Sequence, residues 1–231
     1  DPIAQTFFPT TSAYITSIDM FFSQIPTTGD EPVVLEVRDT VNGFPGQNVL
    51  GQSELLRGSI VPSLDASVAT KFTLDHPVYV QEGKEYCFVL RTDSPLYSVH
   101  ISRVGQNDPV NGYVNSNPNA GVLLMSANLS TWSAEQNADV KFVMRRASFV
   151  TDRVYVNYGQ VSFTGNRSRI EFNNSFGEPS PTTRVSYQYS FDNATWVDFT
   201  PIVEVDFKQM RASAYFRATL QADSRGLLSP V

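Results

Sequence analysis

The run Tyr86-Cys87-Phe88-Val89-Leu90 constrains this chain more than any other stretch. Five consecutive apolar, β-favouring residues leave no wet side, so the segment is predicted to be a strand covered on both faces. Pro77-Val78-Tyr79-Val80 precedes it across Gln81-Glu82-Gly83-Lys84, where Gly83 can supply a positive φ. The spacing predicts a hairpin, 77–91, at the centre of a packed sandwich. No stretch carries a long 3.6-residue apolar period with a cap at each end, so no helix is predicted.

The segments before that run read as strands packed around it. Tyr14 to Phe22 places Ile18, Met20 and Phe22 on one face and Ser17 and Asp19 on the other. Val33 to Arg38 alternates more cleanly, with Val33, Leu35 and Val37 inward and Glu36 and Arg38 outward, the pattern of an antiparallel strand with one wet face. Asn42-Gly43-Phe44-Pro45-Gly46 is a turn cluster, Val49 to Leu56 a short strand or edge segment and Ala69 to Leu74 a further strand. Beyond the central pair, Tyr97 to Ser102 alternates again, and a loop rich in Asn, Pro and Gly runs from Gly105 to Ala120. Val122 to Met125 resumes strand, and Val140 to Arg145 closes the block with Val140, Phe142 and Met144 inward. Strands 86–90 and 140–144 are expected to be among the most buried. After Ser148 to Asp152 the pattern restarts, with six short strands expected at 154–156, 161–163, 170–172, 185–189, 203–207 and 215–220. Turn signals about 8–12 residues apart mark a compact sandwich. The fold class predicted is therefore all-β, two tandem antiparallel β-sandwich domains, residues 1–149 and a smaller module at 150–231.

Composition narrows the function classes. Charged residues make up 17%, below the usual quarter, while Phe and Tyr number 16 and 10, as expected where most residues sit in two-sided strands. A net charge of −6 with no basic run disfavours a nucleic-acid surface, which needs clustered Lys and Arg against phosphates. No apolar run is long enough for a helical bilayer span, so membrane insertion is not expected. The single cysteine, Cys87, cannot form an intrachain disulfide and is predicted to be a small buried hydrophobe. The start at Asp1-Pro2, without Met or a signal-like segment, predicts the cut end of a longer polypeptide.

The catalytic inventory is thin. His76 and His100 are the only histidines, and neither has a second ligand type at metal spacing. There is no Gly-x-Ser-x-Gly elbow and no phosphate loop. Asp192-Asn193 lacks the further oxygens and glycine of a calcium loop. Carboxylate pairs suited to glycoside hydrolysis meet only in the fold, but Asp19, Glu36 and Asp198 are expected on wet faces or turns. The chain is therefore predicted not to be an enzyme, with no cofactor and no metal. Trp132 and Trp196 each follow a polar turn. Exposed aromatics on a sandwich can stack on sugars, but a Trp after a turn is more often the plug of a core end, and that role is expected here. Tyr113, in the 105–120 loop, is the better candidate contact residue for a partner or a glycan.

Two resemblances follow from the order of these elements. Asp1-Pro2-Ile3-Ala4-Gln5-Thr6-Phe7, Ile15 to Phe22, Val37-Arg38 with Asn42-Gly43-Phe44-Pro45, Pro77 to Val80, Glu85 to Leu90, Ser130-Thr131-Trp132 and Val140-Lys141-Phe142 resemble, in order, a pattern in structural proteins of contractile-tailed, T-even-like bacteriophages, the baseplate-wedge and tail-fibre-associated proteins. That resemblance covers 1–149 and implies a jelly-roll-like, galactose-binding-like sandwich in a virion tail or baseplate, with other tail proteins as partners. Tyr187 to Trp196, followed by Tyr215-Phe216-Arg217-Ala218-Thr219-Leu220, resembles small sandwich modules strung along phage tail and surface proteins. Together they imply a rigid assembly or attachment module. Two alternatives stay open: a carbohydrate-binding module contacting the host surface, and a glycan-degrading enzyme. A binding module should display clustered exposed aromatics, an enzyme two carboxylates in one cleft, and an assembly part an exposed apolar patch or free strand edge.

Overall fold

A computed structural model describes residues 1–108, 112–173, 180–201 and 204–230. The chain is all-β: a single 3-10 turn, Arg57–Ser59, is the one helical element among the described residues. It divides into two compact units, Asp1–Ala147 and Ser148–Val231.

The first unit runs through β1 (Ile3–Phe7), β2 (Ala13–Met20), β3 (Phe22–Gln24), β4 (Val33–Val41), β5 (Phe44–Leu55), β6 (Thr70–Val80), β7 (Tyr86–Thr92), β8 (Ser98–Val99) and β9 (Ile101–Arg103). It continues with β10 (Asn107–Asp108), β11 (Gly112–Tyr113), β12 (Leu123–Met125), β13 (Ser133–Glu135), β14 (Ala138–Val140) and β15 (Phe142–Arg146). One layer is a six-stranded sheet in the order β13-β12-β1-β7-β4-β5; the other is built on the three strands β15-β2-β6. At Phe21 and Lys141 the second layer forks. His100 donates its N–H to the Phe21 carbonyl and accepts from Lys141, so the β8–β9 segment wedges between β3 and β14. Between the layers lies the core, where Ile18, Met20, Phe22, Leu35, Val37, Phe72 and Phe88 have no exposed surface.

The strand at 86–90 is buried on both faces, as its sequence requires: Phe88 points into the main core, and Cys87 and Val89 join Ala4 and Leu124 in a second cluster on the outer face. The expected hairpin, however, does not exist. β7 pairs with β1 on one side and β4 on the other, so it has no edge left for β6, which pairs with β2 in the opposite layer. The turn at 81–85 instead carries the chain between layers. Gly83, at φ 73°, donates to the Pro9 carbonyl, and Glu82 donates to the Ser12 hydroxyl, stapling this crossing to the β1–β2 crossing beside it. A tight hairpin forms instead at β4–β5, closed by Asn42 at φ 53° and Gly43 at φ 80°, the left-handed pair that matches strand twist. The turn cluster thus shrinks to two residues, and β5 begins at Phe44. Strand 140–144 is less buried than expected: Val140 is in the core and Phe142 and Met144 pack on its rim, but Val143 is exposed.

The described strands of the second unit are β16 (Arg153–Ile170), β17 (Arg184–Ser190), β18 (Val197–Phe199) and β19 (Val205–Gln221), in one sheet ordered β16-β19-β17-β18. The six short strands expected become four: Gly159 and Gly165, at φ 78° and 77°, bend β16 without ending it, the two segments expected at 203–207 and 215–220 fall in the single strand β19, and β18 is a strand the sequence did not signal. Val203 lies outside the described residues. Phe216 pairs with Tyr189, yet the Tyr189 ring is 5.0 Å from that of Phe207, nine residues back along β19. A straight strand would place Phe207 roughly 30 Å away from Phe216. The strand therefore doubles over, with Lys208 at φ 61° between, and one sheet supplies both layers of the cluster of Tyr189, Val205, Phe207, Ala214 and Phe216.

Candidate functional site

Tyr113, the contact residue picked from the sequence, stands on β11 and is 62% exposed. Its loop is partly ordered by the β10–β11 pair, Asn107 opposite Tyr113; residues 109–111 lie outside the described ones. His100 is half-buried with Nε2 2.7 Å from the Ser63 carbonyl, and His76 is exposed between the Leu50 carbonyl and Asp75. Among the described residues no three His, Cys, Asp or Glu side chains come together as metal ligands would.

Two carboxylates expected on wet surfaces are buried instead. β4 is a central strand, and its outer face packs beside the Cys87–Val89 cluster. Glu36 there is held by both Arg38 and Arg91. Burial alone would raise its pKa, but the hydrogen bonds and charges of the two guanidinium groups outweigh burial and hold it below the ordinary 4.5. Asp19, on the central strand of the other layer, is 3% exposed and takes two hydrogen bonds from Arg145. Glu36 engages arginines through both oxygens, whereas Asp19 engages Arg145 through Oδ2 alone and leaves its buried Oδ1 without a hydrogen-bond partner among the described residues. Burial pushes the Cys87 thiol up to about 12, so it is a packed hydrophobe and not a nucleophile. Asp198 is exposed, as expected, and accepts from Gln188.

The two tryptophans end one device used twice. Ser126-Ala127-Asn128-Leu129-Ser130-Thr131-Trp132 and Ser190-Phe191-Asp192-Asn193-Ala194-Thr195-Trp196 each connect two paired strands. In each, the third residue's Oδ1 accepts the backbone N–H groups of the fifth and sixth, at 3.0 and 2.8 Å for Asn128 and 2.9 and 2.7 Å for Asp192. The fourth residue is left-handed in both, Leu129 at φ 61° and Asn193 at φ 59°. The N–H groups of Thr195 and Ala194, with the Ser190 and Thr195 hydroxyls, hold the Asp192 carboxyl far below the usual range. That set of donors leaves Asp192 a turn cap and not a calcium ligand.

The tryptophans then part ways. Trp132 packs on the Ala4–Cys87–Val89–Leu124 cluster, close to the expected sealing role. Trp196 does not seal a core. It lies over the Arg217 guanidinium at 4.0 Å, and Tyr155 covers the same group at 4.6 Å. Arg217 also donates from Nε to Gln188 Oε1 at 2.7 Å, and Gln188 donates onward to Asp198. Strand register explains the assembly, since paired residues share a face. Asn157, Arg217, Gln188 and Asp198 form one cross-strand row, and Arg153, Gln221 and Arg184 another on the same face. Facing the other way along these strands, Tyr187, Tyr189, Phe216 and Ala218 are buried. Sequence reading singled out Arg217 and Trp196 but not Tyr155, Arg153 or Arg184. The signal available was period-2 polarity in three segments, Arg153-x-Tyr155-x-Asn157, Arg184-x-Ser186-x-Gln188 and Arg217-x-Thr219-x-Gln221.

β16 is the second unusual surface. It is an edge strand of 18 residues, none of them buried, and Val154, Tyr158 and Val161 are 49%, 41% and 42% exposed. Compared with known proteins, the chain matches no family model and no curated sequence.

Proposed function

We propose that this chain is a structural part of a bacteriophage tail or baseplate, a rigid β module that works by presenting strand edges and loops to neighbouring virion proteins. The observation that carries the reading is β16, a long edge strand with exposed apolar side chains and no pairing partner on its outer side among the described residues. Such an edge invites strand addition, and from Val154 to Val161 it carries neither the charge nor the proline that blunts an unused edge, whereas Arg167, Arg169 and the Gly165 bend protect its far end. The order of motifs from Asp1-Pro2 to Val140-Lys141-Phe142, which resembles tail proteins, supports the virion setting. The carbohydrate-binding alternative asks for open ring faces, whereas Tyr155 and Trp196 each commit one face to Arg217. The enzymatic alternative asks for two free carboxylates in one cleft, whereas Asp19 and Glu36 are neutralised by arginines on different strands. Mass spectrometry of density-purified particles from the source phage tests the reading. Its peptides should appear at a fixed ratio to other tail proteins; particles that lack them overturn it.

A further inference from the structure

The geometry points to the polar face of the second unit's sheet as a docking face for an acidic polypeptide surface, an inference that rests on the assembly reading above and names its chemistry. Six of the thirteen arginines pair with the chain's own carboxylates among the described residues, as Arg38 and Arg91 with Glu36, Arg145 with Asp19 and Arg225 with Asp223. Arg153 and Arg184 are different. Both are exposed and have no ion-pair partner among the described residues. They flank Gln221 across the middle strand, two strand spacings or about 10 Å apart.

Arg217, four residues along the middle strand and roughly 13 Å away, completes a triangle on the same face. It lies over the Trp196 and Tyr155 rings at 4.0 and 4.6 Å and is tied to Gln188 through Nε, while its terminal nitrogens have no partner among the described residues. A guanidinium fixed in this way has lost its rotamer freedom before binding and presents a fork suited to a carboxylate. Asp198, on the fourth strand, is the one carboxylate placed in these rows, so the face has a basic end and an acidic end and would set a partner's orientation.

Charge complementarity calls for an acidic partner, and two things favour polypeptide over glycan. Three guanidinium groups spread over about 10–13 Å match several carboxylates on one surface and exceed the span of a single small anion. Trp196 and Tyr155 each turn a ring face to the central arginine, which takes that face from sugar stacking and gives the Trp–Tyr–Arg composition of protein interface hot spots.

The test uses the full chain and calorimetric titration at low salt with poly-L-glutamate, polygalacturonate (the same carboxylate carried on sugar) and neutral dextran. Poly-L-glutamate should bind, about tenfold weaker to the Arg153→Glu/Arg184→Glu double variant and unchanged to a charge-matched control, Lys71→Glu/Lys84→Glu, on the first unit. Arg217→Lys, which keeps charge but not the planar stack, should weaken binding severalfold. Equal loss in both double variants, no loss in either, or unchanged binding to Arg217→Lys overturns the docking face. Tighter binding of polygalacturonate with the same arginine dependence hands the face to an acidic glycan. Because the probes need no virion, these outcomes stand apart from the particle measurement. Particles that contain the chain while the arginine variants bind normally sink the docking face alone.

Discussion

A Cβ added at Gly121 would lie 1.7 Å from the Thr6 carbonyl oxygen, far inside any non-bonded contact. The approach is that close because the chain here pairs with β1 twice, Thr6 N–H to the Val122 carbonyl and Val122 N–H to the Thr6 hydroxyl. Gly121→Ala must push β12 off β1, and we expect a loss of roughly 2–4 kcal/mol in urea unfolding; a loss under about 0.5 kcal/mol would mean the strands part easily. Glu36 gives a second residue-scale test. Its folded-state pKa is lowered, so its contribution is complete above the ordinary 4.5 and is lost as pH falls through the lower folded value. Wild-type stability should therefore drop through the acid side of that window more steeply than that of Glu36→Gln. Parallel curves would mean that the arginines do not bind the carboxylate in the folded state. Alternation in the sequence placed Glu36 on the side opposite Val37, and that is where it sits. What alternation does not carry is how many layers cover that side: the outer cluster of Ala4, Cys87, Val89 and Leu124 is assembled from three strands far apart in sequence.

At the scale of elements, the Ser-x-Asn/Asp-x-x-Thr-Trp turn is a modular device, since Asn128 and Asp192 use the same oxygen for the same two N–H groups. Charge is incidental to that work. Asp192→Asn should retain near-native stability, while Asp192→Ala, which leaves two backbone N–H groups without their acceptor, should cost about 1–2 kcal/mol. Equal losses in the two variants would show that the charge, and not the geometry, holds the turn. The same scale explains the misplaced hairpin at 77–91. Two apolar runs around a glycine fit a hairpin and a layer crossing equally well; what decides is whether the second run has a free edge, and β7 has none because β1 and β4 take both. By contrast, Asn42-Gly43 specifies its turn locally, through two left-handed residues, and was the stronger hairpin signal. In the second unit Gly159 and Gly165 fall in the gaps between the strands expected at 154–156, 161–163 and 170–172, yet a positive φ can bend a strand while its pairing resumes beyond.

For the molecule as a whole, the all-β class was legible because period-2 runs dominate and helical periods are missing. The charge layout was legible too: of the −6 total, the first unit carries all and the second is neutral, with 7 Arg and 1 Lys against 5 Asp and 3 Glu. The candidate surfaces were less so. Arg153, Arg184 and Arg217 come from strands some 30 residues apart and meet only through register, and the exposure of β16 depends on which strand stands at the sheet's edge. Those two surfaces carry the claim that this chain acts by presenting edges and faces to other virion proteins. Cryo-electron microscopy of the intact source particle tests it most directly. A strand of a neighbouring protein should be found hydrogen-bonded along β16, extending the four-stranded sheet by one. A map in which this chain is resolved and β16 faces open solvent along its full length would contradict it.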